Sequence, residues 1–130
     1  MFRVSATVWN GRNAATWGLY VLDMGEAGGG EWFSLEVERE GRVSIKRYQD
    51  TQVISILWSG IYHSRGKDRL TLEADEGNLI ASVNGTELGR TTYDPKSIPK
   101  VPVGVGFVVT TKAEAPAEAW FDDYGLTFCR

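Results

Sequence analysis

Apolar and polar residues alternate along most of this chain with a period of two. The stretches Phe2 to Val8 and Glu31 to Glu38 both place an apolar side chain at every second position. This is the period of a β-strand with one buried face. No helical period is sustained over several turns, so the pattern predicts an all-β domain.

Turn residues separate about ten predicted strands. Glu40-Gly41 and Asn84-Gly85 are both hairpin signals, and Asn84-Gly85 is the stronger because both of its residues tolerate positive φ. The glycine-rich stretch Gly25 to Gly30 predicts a loop. The predicted strands run about Phe2 to Val8, Trp17 to Met24, Glu31 to Glu38, Val43 to Gln49, Val53 to Trp58, Arg69 to Glu73, Leu79 to Val83, Thr86 to Tyr93, Val103 to Thr110 and Ala117 to Phe128. Short strands with regularly spaced turns predict a two-sheet antiparallel sandwich.

Several short motifs follow one another in a recognisable order from residue 17 onward. They are Trp17-Gly18-Leu19, the aromatic pair Trp32-Phe33, Asp68 to Glu73, Val83-Asn84-Gly85, Gly104 to Phe107 and Phe121-Asp122-Asp123. Their order and spacing resemble the concanavalin A-like lectin/glucanase superfamily, especially its bacterial laminin-G-like modules. The resemblance covers most of the chain and implies a jelly-roll sandwich over residues 1–130. It implies less about function, because this superfamily hosts lectins, glucanases and adhesive modules.

Composition narrows the choice of partners and compartment. The chain has 130 residues, which is the length of a single domain. Its net charge is -3 and its Lys and Arg residues are scattered, which argues against nucleic acid as a partner. No apolar run is long enough to insert into a membrane. Cys129 is the only cysteine, so no intrachain disulfide can form. Met1 to Asn10 lacks a signal-peptide pattern, which predicts a cytoplasmic protein, or an extracytoplasmic one if the chain is an excised module.

Aromatic residues are the strongest indication of a binding surface. The chain has five Trp and five Tyr, and Trp9, Tyr48 and Trp58 occupy positions expected to point away from the core. Such rings stack on sugars or on other proteins through an apolar face with a polar edge. We expect Trp32, Tyr48, Trp58 and Tyr62 to line a binding groove. By analogy with the superfamily the favoured ligand is a glycan, and the alternative is another protein or a second copy in a homodimer.

An enzymatic alternative rests on Glu36 and Glu38. Two residues that are two positions apart in a strand lie on the same face, about 6.6 Å from each other. Retaining glycosidases hold their two carboxyl groups about 5–5.5 Å apart. The superfamily's glucanases place an Asp between two Glu, whereas the stretch here reads Glu36-Val37-Glu38-Arg39-Glu40. We therefore predict a non-catalytic binding module and keep a glycoside hydrolase as the alternative.

No cofactor is expected from the residue pattern. Calcium is the one ion considered, because some laminin-G-like relatives bind it and because two acidic groups could supply oxygen ligands. These groups are Asp75, Glu76 and Asn78 in one place and Asp122 and Asp123 in another. Neither has a third acid nearby, and acidic turn residues commonly accept backbone hydrogen bonds instead.

Overall fold

The computed structural model describes residues 2–23, 31–50, 52–93, 104–111 and 116–128. Over these residues the chain forms strands and no helix, so this part of it contains no helix that could cross a membrane. The strands are β1 (Phe2–Asn10), β2 (Thr16–Asp23), β3 (Glu31–Glu38), β4 (Arg42–Gln49), β5 (Gln52–Ile61), β6 (Lys67–Asp75), β7 (Asn78–Val83), β8 (Thr86–Thr92), β9 (Gly104–Thr110) and β10 (Ala119–Phe128). The loop predicted for Gly25 to Gly30, and Cys129, lie outside the described residues.

The strands form two five-stranded sheets. Sheet A has the order β10-β1-β6-β7-β8 and sheet B the order β5-β4-β3-β2-β9. Every neighbouring pair is antiparallel. The chain passes repeatedly between the sheets, since β1, β6 to β8 and β10 lie in sheet A and the others in sheet B. The predicted two-sheet antiparallel β-sandwich is confirmed.

The core fills the space between the sheets with the apolar half of each alternating pattern. Val4, Leu35, Ile45 and Leu72 are all fully buried there, and Trp17 is the largest buried side chain. Burying an aliphatic or aromatic side chain of this kind contributes about 1.5–3 kcal/mol. The period of two thus decides which face of each sheet is the inner one.

Aromatic side chains close the two open edges of the sandwich. Where β9 faces β10, the ring of Phe107 stacks on that of Phe121, with centroids 4.1 Å apart and planes at 20°. Where β5 faces β8, Trp58 packs over Gly89, and a Cβ atom at Gly89 would lie 2.1 Å from Trp58 Cε2. A glycine on β8 therefore makes room for the indole that covers this edge.

The predicted turn at Asn84-Gly85 is confirmed. These two residues join β7 to β8, with φ angles of 53° and 82°. Positive φ at both central positions is typical of a type I′ turn, whose twist matches that of the flanking strands. The Asn84 side chain also accepts a 2.8 Å hydrogen bond from the Arg69 backbone N–H, which ties the hairpin to β6.

Candidate functional site

The candidate site lies on the outer face of sheet B, turned away from the hydrophobic core. Leu35 on β3 and Ile45 on β4 point inward, so the residues that alternate with them point outward. The hairpin register places Trp32 opposite Tyr48, and Tyr20 extends the same face onto β2. The face carries aromatic rings near the N-terminal end of β3 and charged groups near its C-terminal end.

Three rings form an aromatic cluster, consisting of Tyr20, Trp32 and Tyr48. Trp32 and Tyr48 are stacked, with centroids 3.7 Å apart and planes at 8°. Tyr20 meets Trp32 edge to face at 5.5 Å and 65°. Trp32 Nε1 donates a 2.6 Å hydrogen bond to the Asp50 carbonyl oxygen. A Cβ atom at Gly106 would lie 2.6 Å from Tyr20 Cε1, so the Tyr20 ring rests over a glycine. These contacts hold all three rings in place.

A cavity of about 280 Å³ opens beside this cluster. It is lined by Tyr20, Trp32, Phe107 and Val108. The lining is aromatic and aliphatic. The volume of the cavity lies just below the usual range of small-molecule pockets, about 300–1,000 Å³.

Glu36 lies fully buried on this same outer face. Its Oε1 accepts a 2.8 Å hydrogen bond from Thr16 Oγ1, and its Oε2 accepts bonds of 2.5 Å from Ser34 Oγ and 2.6 Å from the Tyr48 hydroxyl. Both carboxylate oxygens therefore have donors. A buried carboxylate is stable only when such donors replace the water it has lost.

Lys46 supplies the positive charge beside the buried carboxylate. Its Nζ lies 3.5 Å from Glu36 Oε1 and 3.3 Å from Glu38 Oε1. Ser44 Oγ donates a 3.4 Å hydrogen bond to Glu38 Oε1. The Lys46 side chain is 10% exposed and that of Glu38 is 21% exposed, so only Glu38 retains appreciable contact with solvent. We call Glu36, Glu38 and Lys46, with their hydroxyl donors, the carboxylate network.

Tyr48 joins the aromatic cluster to the carboxylate network. Burial is the main reason that the pKa of its hydroxyl lies well above 10, and the hydrogen bond to Glu36 and the charge of that carboxylate raise the pKa further. The hydroxyl therefore stays protonated at neutral pH and keeps donating to Glu36. Because only 5% of Tyr48 is exposed, its ring supports Trp32 from behind rather than facing solvent.

Trp58 does not lie on the outer face, and the expectation that it points away from the core is wrong. Along the β4–β5 ladder Ile45 faces Trp58 but Lys46 faces Ile56, which leaves Leu57 as an extra residue in β5. Such a β-bulge interrupts the period of two. Trp58 and Leu57 both pack against the core as a result.

Tyr62 lies at the opposite end of the β3–β4 hairpin from Trp32. Its backbone N–H bonds to the Gly41 carbonyl, and its hydroxyl donates to the buried carboxylate of Asp68. Asp68 also accepts bonds from Ser64 and Asn84. Burial, followed by the hydrogen bond and charge of Asp68, raises the pKa of Tyr62 to about 12. This hydroxyl belongs to a structural cluster that anchors the Asn84-Gly85 hairpin.

The four predicted binding residues therefore do not share one groove. The structure brings Trp32 and Tyr48 together on the outer face of sheet B, whereas Trp58 closes an edge and Tyr62 binds Asp68. The spacing of aromatic residues along the chain carries no information on which ends of neighbouring strands meet. Participation of any of them in binding stays a proposal.

Sequence reasoning did not identify Tyr20, Ser34 or Lys46 as site residues. Tyr20 occupies the outward position between two buried residues of β2, and Lys46 occupies the outward position after the buried Ile45 on β4. The sequence did contain a signal for this pairing. A tight turn centred on Glu40 pairs residues at equal distances on either side of it, which places Ser34 opposite Lys46. Hairpin register, rather than residue type, was the missing step.

A second hollow, of about 440 Å³, lies at one end of the sandwich near Arg12, Arg39 and Glu40. Arg39 already donates hydrogen bonds to the carbonyl oxygens of Ala14 and Gly11. The guanidinium also lies over the Trp17 ring, 5.7 Å from its centroid. The Arg39 side chain thus holds the segment 11–14 against the end of β3.

Among the residues that the structure describes, neither proposed calcium group gains a third acid. In the residues that the structure describes, no three His, Cys, Asp or Glu side chains come together as metal ligands. Asp75 and Asn78 bound the β6–β7 turn, and Asp122 accepts a 2.8 Å hydrogen bond from the Asp123 backbone N–H. This local bond is typical of acidic turn residues.

No protein-family model matches the chain, and no curated protein matches it. Solved structures do resemble it in shape. Carbohydrate-binding module CBM66 from Bacillus subtilis has a TM-score of 0.68 at 12% identity, over 96% of this chain and 73% of that one. Caenorhabditis elegans galectin LEC-6 has a TM-score of 0.66 at 9% identity, over 97% and 81%. A Bacillus licheniformis beta-glucanase has a TM-score of 0.66 at 9% identity, over 98% and 66%.

These likenesses establish the fold. The sandwich is a concanavalin A-like jelly roll, as the order of sequence motifs predicted. Identities of 9–12% carry no information on individual site residues. The narrower likeness to laminin-G-like modules stays a prediction.

Proposed function

We propose that the protein is a non-catalytic glycan-binding module whose ligand binds on the outer face of sheet B. One observation carries the proposal: the aromatic cluster borders a small apolar cavity on an open sheet face. The ring of Trp32 is held there by Tyr20, Tyr48 and a backbone hydrogen bond. A site whose rings are fixed in advance loses little conformational entropy on binding. Structural likeness to a carbohydrate-binding module and to a galectin supports the same proposal.

Within this site the aromatic residues have different roles. Tyr20 and Trp32 line the cavity and present C–H and π surfaces to a sugar ring. Among the lining side chains only Tyr20 and Trp32 carry polar groups, and Trp32 Nε1 already donates to Asp50, so we assign hydrogen bonding to the ligand to the Tyr20 hydroxyl. Tyr48 acts as a positioning residue, because its ring is covered by Trp32 and its hydroxyl is bound to Glu36.

The carboxylate network argues for binding without hydrolysis. A retaining glycosidase needs one carboxylate free to attack the anomeric carbon and a second one free to protonate the leaving group. Here both oxygens of Glu36 accept hydrogen bonds inside the protein, and the residue is fully buried. Only Glu38 is partly accessible, which leaves one carboxyl group where the reaction requires two. The network therefore stiffens the floor of the binding face.

The test is a glycan array, run with and without calcium, followed by calorimetric titration of the best neutral oligosaccharide. Trp32→Ala is expected to weaken binding about tenfold or more, which corresponds to about 1.4 kcal/mol. Trp120→Ala is the matched control, because Trp120 is 48% exposed on the outer face of sheet A. Loss of binding in the control with retention in Trp32→Ala would place the ligand on the other sheet.

The Tyr48→Phe variant tests whether Tyr48 only positions Trp32 or also contacts the ligand through its hydroxyl. We expect this variant to bind the same oligosaccharide within about threefold of the unchanged protein, since the ring remains and the cavity lining is intact. A much larger loss would show that the Tyr48 hydroxyl contacts the ligand.

The glycosidase alternative retains one supporting observation, the structural likeness to a beta-glucanase. It is tested by assaying release of reducing sugar from β-glucans. We expect none from the unchanged protein. Hydrolysis that disappears in a Glu36→Gln/Glu38→Gln variant, with folding preserved, would make this protein an enzyme.

A further inference from the structure

The edge of the sandwich where β9 faces β10 carries a second group of aromatic side chains beside the candidate site. Phe107 stacks on Phe121 and also meets Tyr124 edge to face, with centroids 5.7 Å apart and planes at 82°. Phe107 is 40% exposed and Tyr124 is 43% exposed. Phe107 also lines the cavity beside Trp32. The cavity and this edge are therefore continuous with each other.

A β-bulge in β10 directs Tyr124 toward this edge. Ser5 pairs with Gly125 and Thr7 pairs with Asp122, so two residues of β10 lie opposite the single residue between Ser5 and Thr7. In a regular strand, Tyr124 would point to the outer face of sheet A, because it is the third residue after the inward-packed Phe121. The bulge interrupts this alternation, and Tyr124 contacts Phe107 instead.

The backbone of the bulge has an uncommon conformation. Asp123, the residue before Tyr124, has a φ of 51°. Positive φ is uncommon in residues other than glycine, although Asp adopts it more readily than most. Bulges of this kind are frequent beside binding sites, where they change the direction of a side chain. The position of Tyr124 therefore follows from the backbone of β10 as well as from ring packing.

Two phenol hydroxyls lie among the rings at this edge. The Tyr20 ring extends over Gly106 of β9, and its hydroxyl lies 2.8 Å from the position that a Cβ atom at Gly106 would occupy. Burial raises the pKa of the Tyr124 hydroxyl, and the charge that Tyr20 can carry raises it further. The two hydroxyls are thus close enough to interact. Both belong to rings that contact the cavity or its edge.

This combination of rings and hydroxyls favours a sugar over an aliphatic partner. A sugar ring offers C–H groups that pack on an aromatic face and hydroxyls that form hydrogen bonds at its edge. A purely aliphatic partner would remove water from the Tyr20 and Tyr124 hydroxyls and supply no hydrogen bond in return, which is unfavourable. The surface is also long, because β3 and β9 are separated by two strand spacings, about 10 Å in total. That distance exceeds the width of one sugar ring.

We propose that Tyr124 is a binding residue of the glycan site, and that the ligand is an oligosaccharide running across the strands from Trp32 over β9 to Tyr124. This inference rests on the proposed function. One sugar of the chain occupies the cavity between Trp32 and Phe107, and a later sugar packs on Tyr124. A monosaccharide in the cavity does not reach Tyr124, so the residue selects ligands by their length.

The test compares a monosaccharide with a hexasaccharide of the same neutral sugar, taken from the best ligand of the glycan array. Tyr124→Ala should weaken hexasaccharide binding about tenfold and change monosaccharide binding by less than about twofold. Trp32→Ala should weaken both. Trp120→Ala is the matched control, because Trp120 is also an exposed aromatic residue of β10 but lies on the outer face of sheet A, and it should weaken neither. Calorimetry measures the hexasaccharide and an NMR titration the monosaccharide.

Amide NMR signals of the unchanged protein test the same contact without a substitution. The hexasaccharide should shift the signals of both Gly106 and Tyr124, whereas the monosaccharide should shift only that of Gly106. Equal losses for the two ligands in Tyr124→Ala, or a hexasaccharide that leaves the Tyr124 signal in place, would overturn the inference. If Trp32→Ala alone weakens hexasaccharide binding, this inference fails and the proposed function stands. If the unchanged protein binds no glycan, both fail.

Discussion

Charged residues on the outer faces of the two sheets differ in their exposure to solvent. On sheet A, Arg3 and Glu73 form a 2.6 Å ion pair in which the Arg3 side chain is 52% exposed. On sheet B, Glu36 is fully buried and Lys46 nearly so. All four residues occupy outward positions in strands of the same alternating pattern. Only their neighbours differ.

The comparison shows which surroundings allow charged residues on a strand face to become buried. Water can solvate Arg3 on sheet A, and an ion pair of this kind contributes only about 0–1 kcal/mol. On sheet B, hydroxyl groups and Lys46 have replaced water around Glu36. Removing one partner of a buried pair is costly because it leaves the other charge uncompensated. The predictions below test this contrast, from the largest effect to the smallest.

Lys46→Met should destabilise the protein by about 3–5 kcal/mol, because it leaves the buried Glu36 carboxylate without a cation. Urea unfolding monitored by tryptophan fluorescence measures the change. Arg3→Met, on sheet A, is the control and should change stability by less than about 1 kcal/mol. Similar losses in both variants would remove the distinction between the two faces.

Alkaline pH should weaken the fold through Tyr48. The native pKa of this phenol is raised above the unfolded value of 10.0, so the unfolded chain releases its proton first as pH rises. Its contribution is therefore complete below pH 10 and falls above it, by at most about 1.4 kcal/mol per pH unit. Tyr62, with a native pKa of about 12, adds to the decline between pH 10 and 12.

Stability measured by urea unfolding at pH 9 to 11.5 checks this expectation. Tyr48→Phe should be less stable at pH 9 and should lose stability more slowly with pH. Identical slopes for the variant and the unchanged protein would show that Tyr48 is not held as its contacts indicate.

Gly85→Val should cost roughly 1 kcal/mol or more. No atom lies within 4 Å of a Cβ placed at Gly85, so the loss isolates the strain of a β-branched residue at a φ of 82°. Thermal unfolding measures it. An unchanged midpoint would mean that the turn linking β7 to β8 tolerates positive φ in any residue.

The smallest effect is expected for the pair Arg3 and Glu73 on sheet A. A double-mutant cycle with alanine should give a coupling energy of about 0.2–1 kcal/mol that decreases in 0.5 M NaCl. The corresponding cycle on Glu36 and Lys46 should be larger and nearly insensitive to salt. Equal salt dependence in the two cycles would contradict the burial on sheet B.

Hydrophobic alternation predicted the strands and their inner faces well. Local rules suffice there: a strand places every second side chain on one face, and Asn84-Gly85 has the conformations that its turn requires. Part of the candidate site could be predicted from the sequence in the same way, because a turn centred on Glu40 places Trp32 opposite Tyr48. The prediction for Trp58 failed because the pairing of β5 with β4 contains two register shifts, and at the one beside Trp58 both Leu57 and Trp58 pack against the core.

The sequence by itself determined an all-β chain, its turns, its order of motifs and the polar or apolar character of each position. Only the tertiary structure decided that Glu36 is buried while Glu73 is partly exposed, and that β5 lies at an edge of sheet B. These properties depend on which distant strands become neighbours. Thr16 and Tyr48 reach Glu36 only because β2, β3 and β4 lie side by side, and a charge is buried stably only where such donors converge.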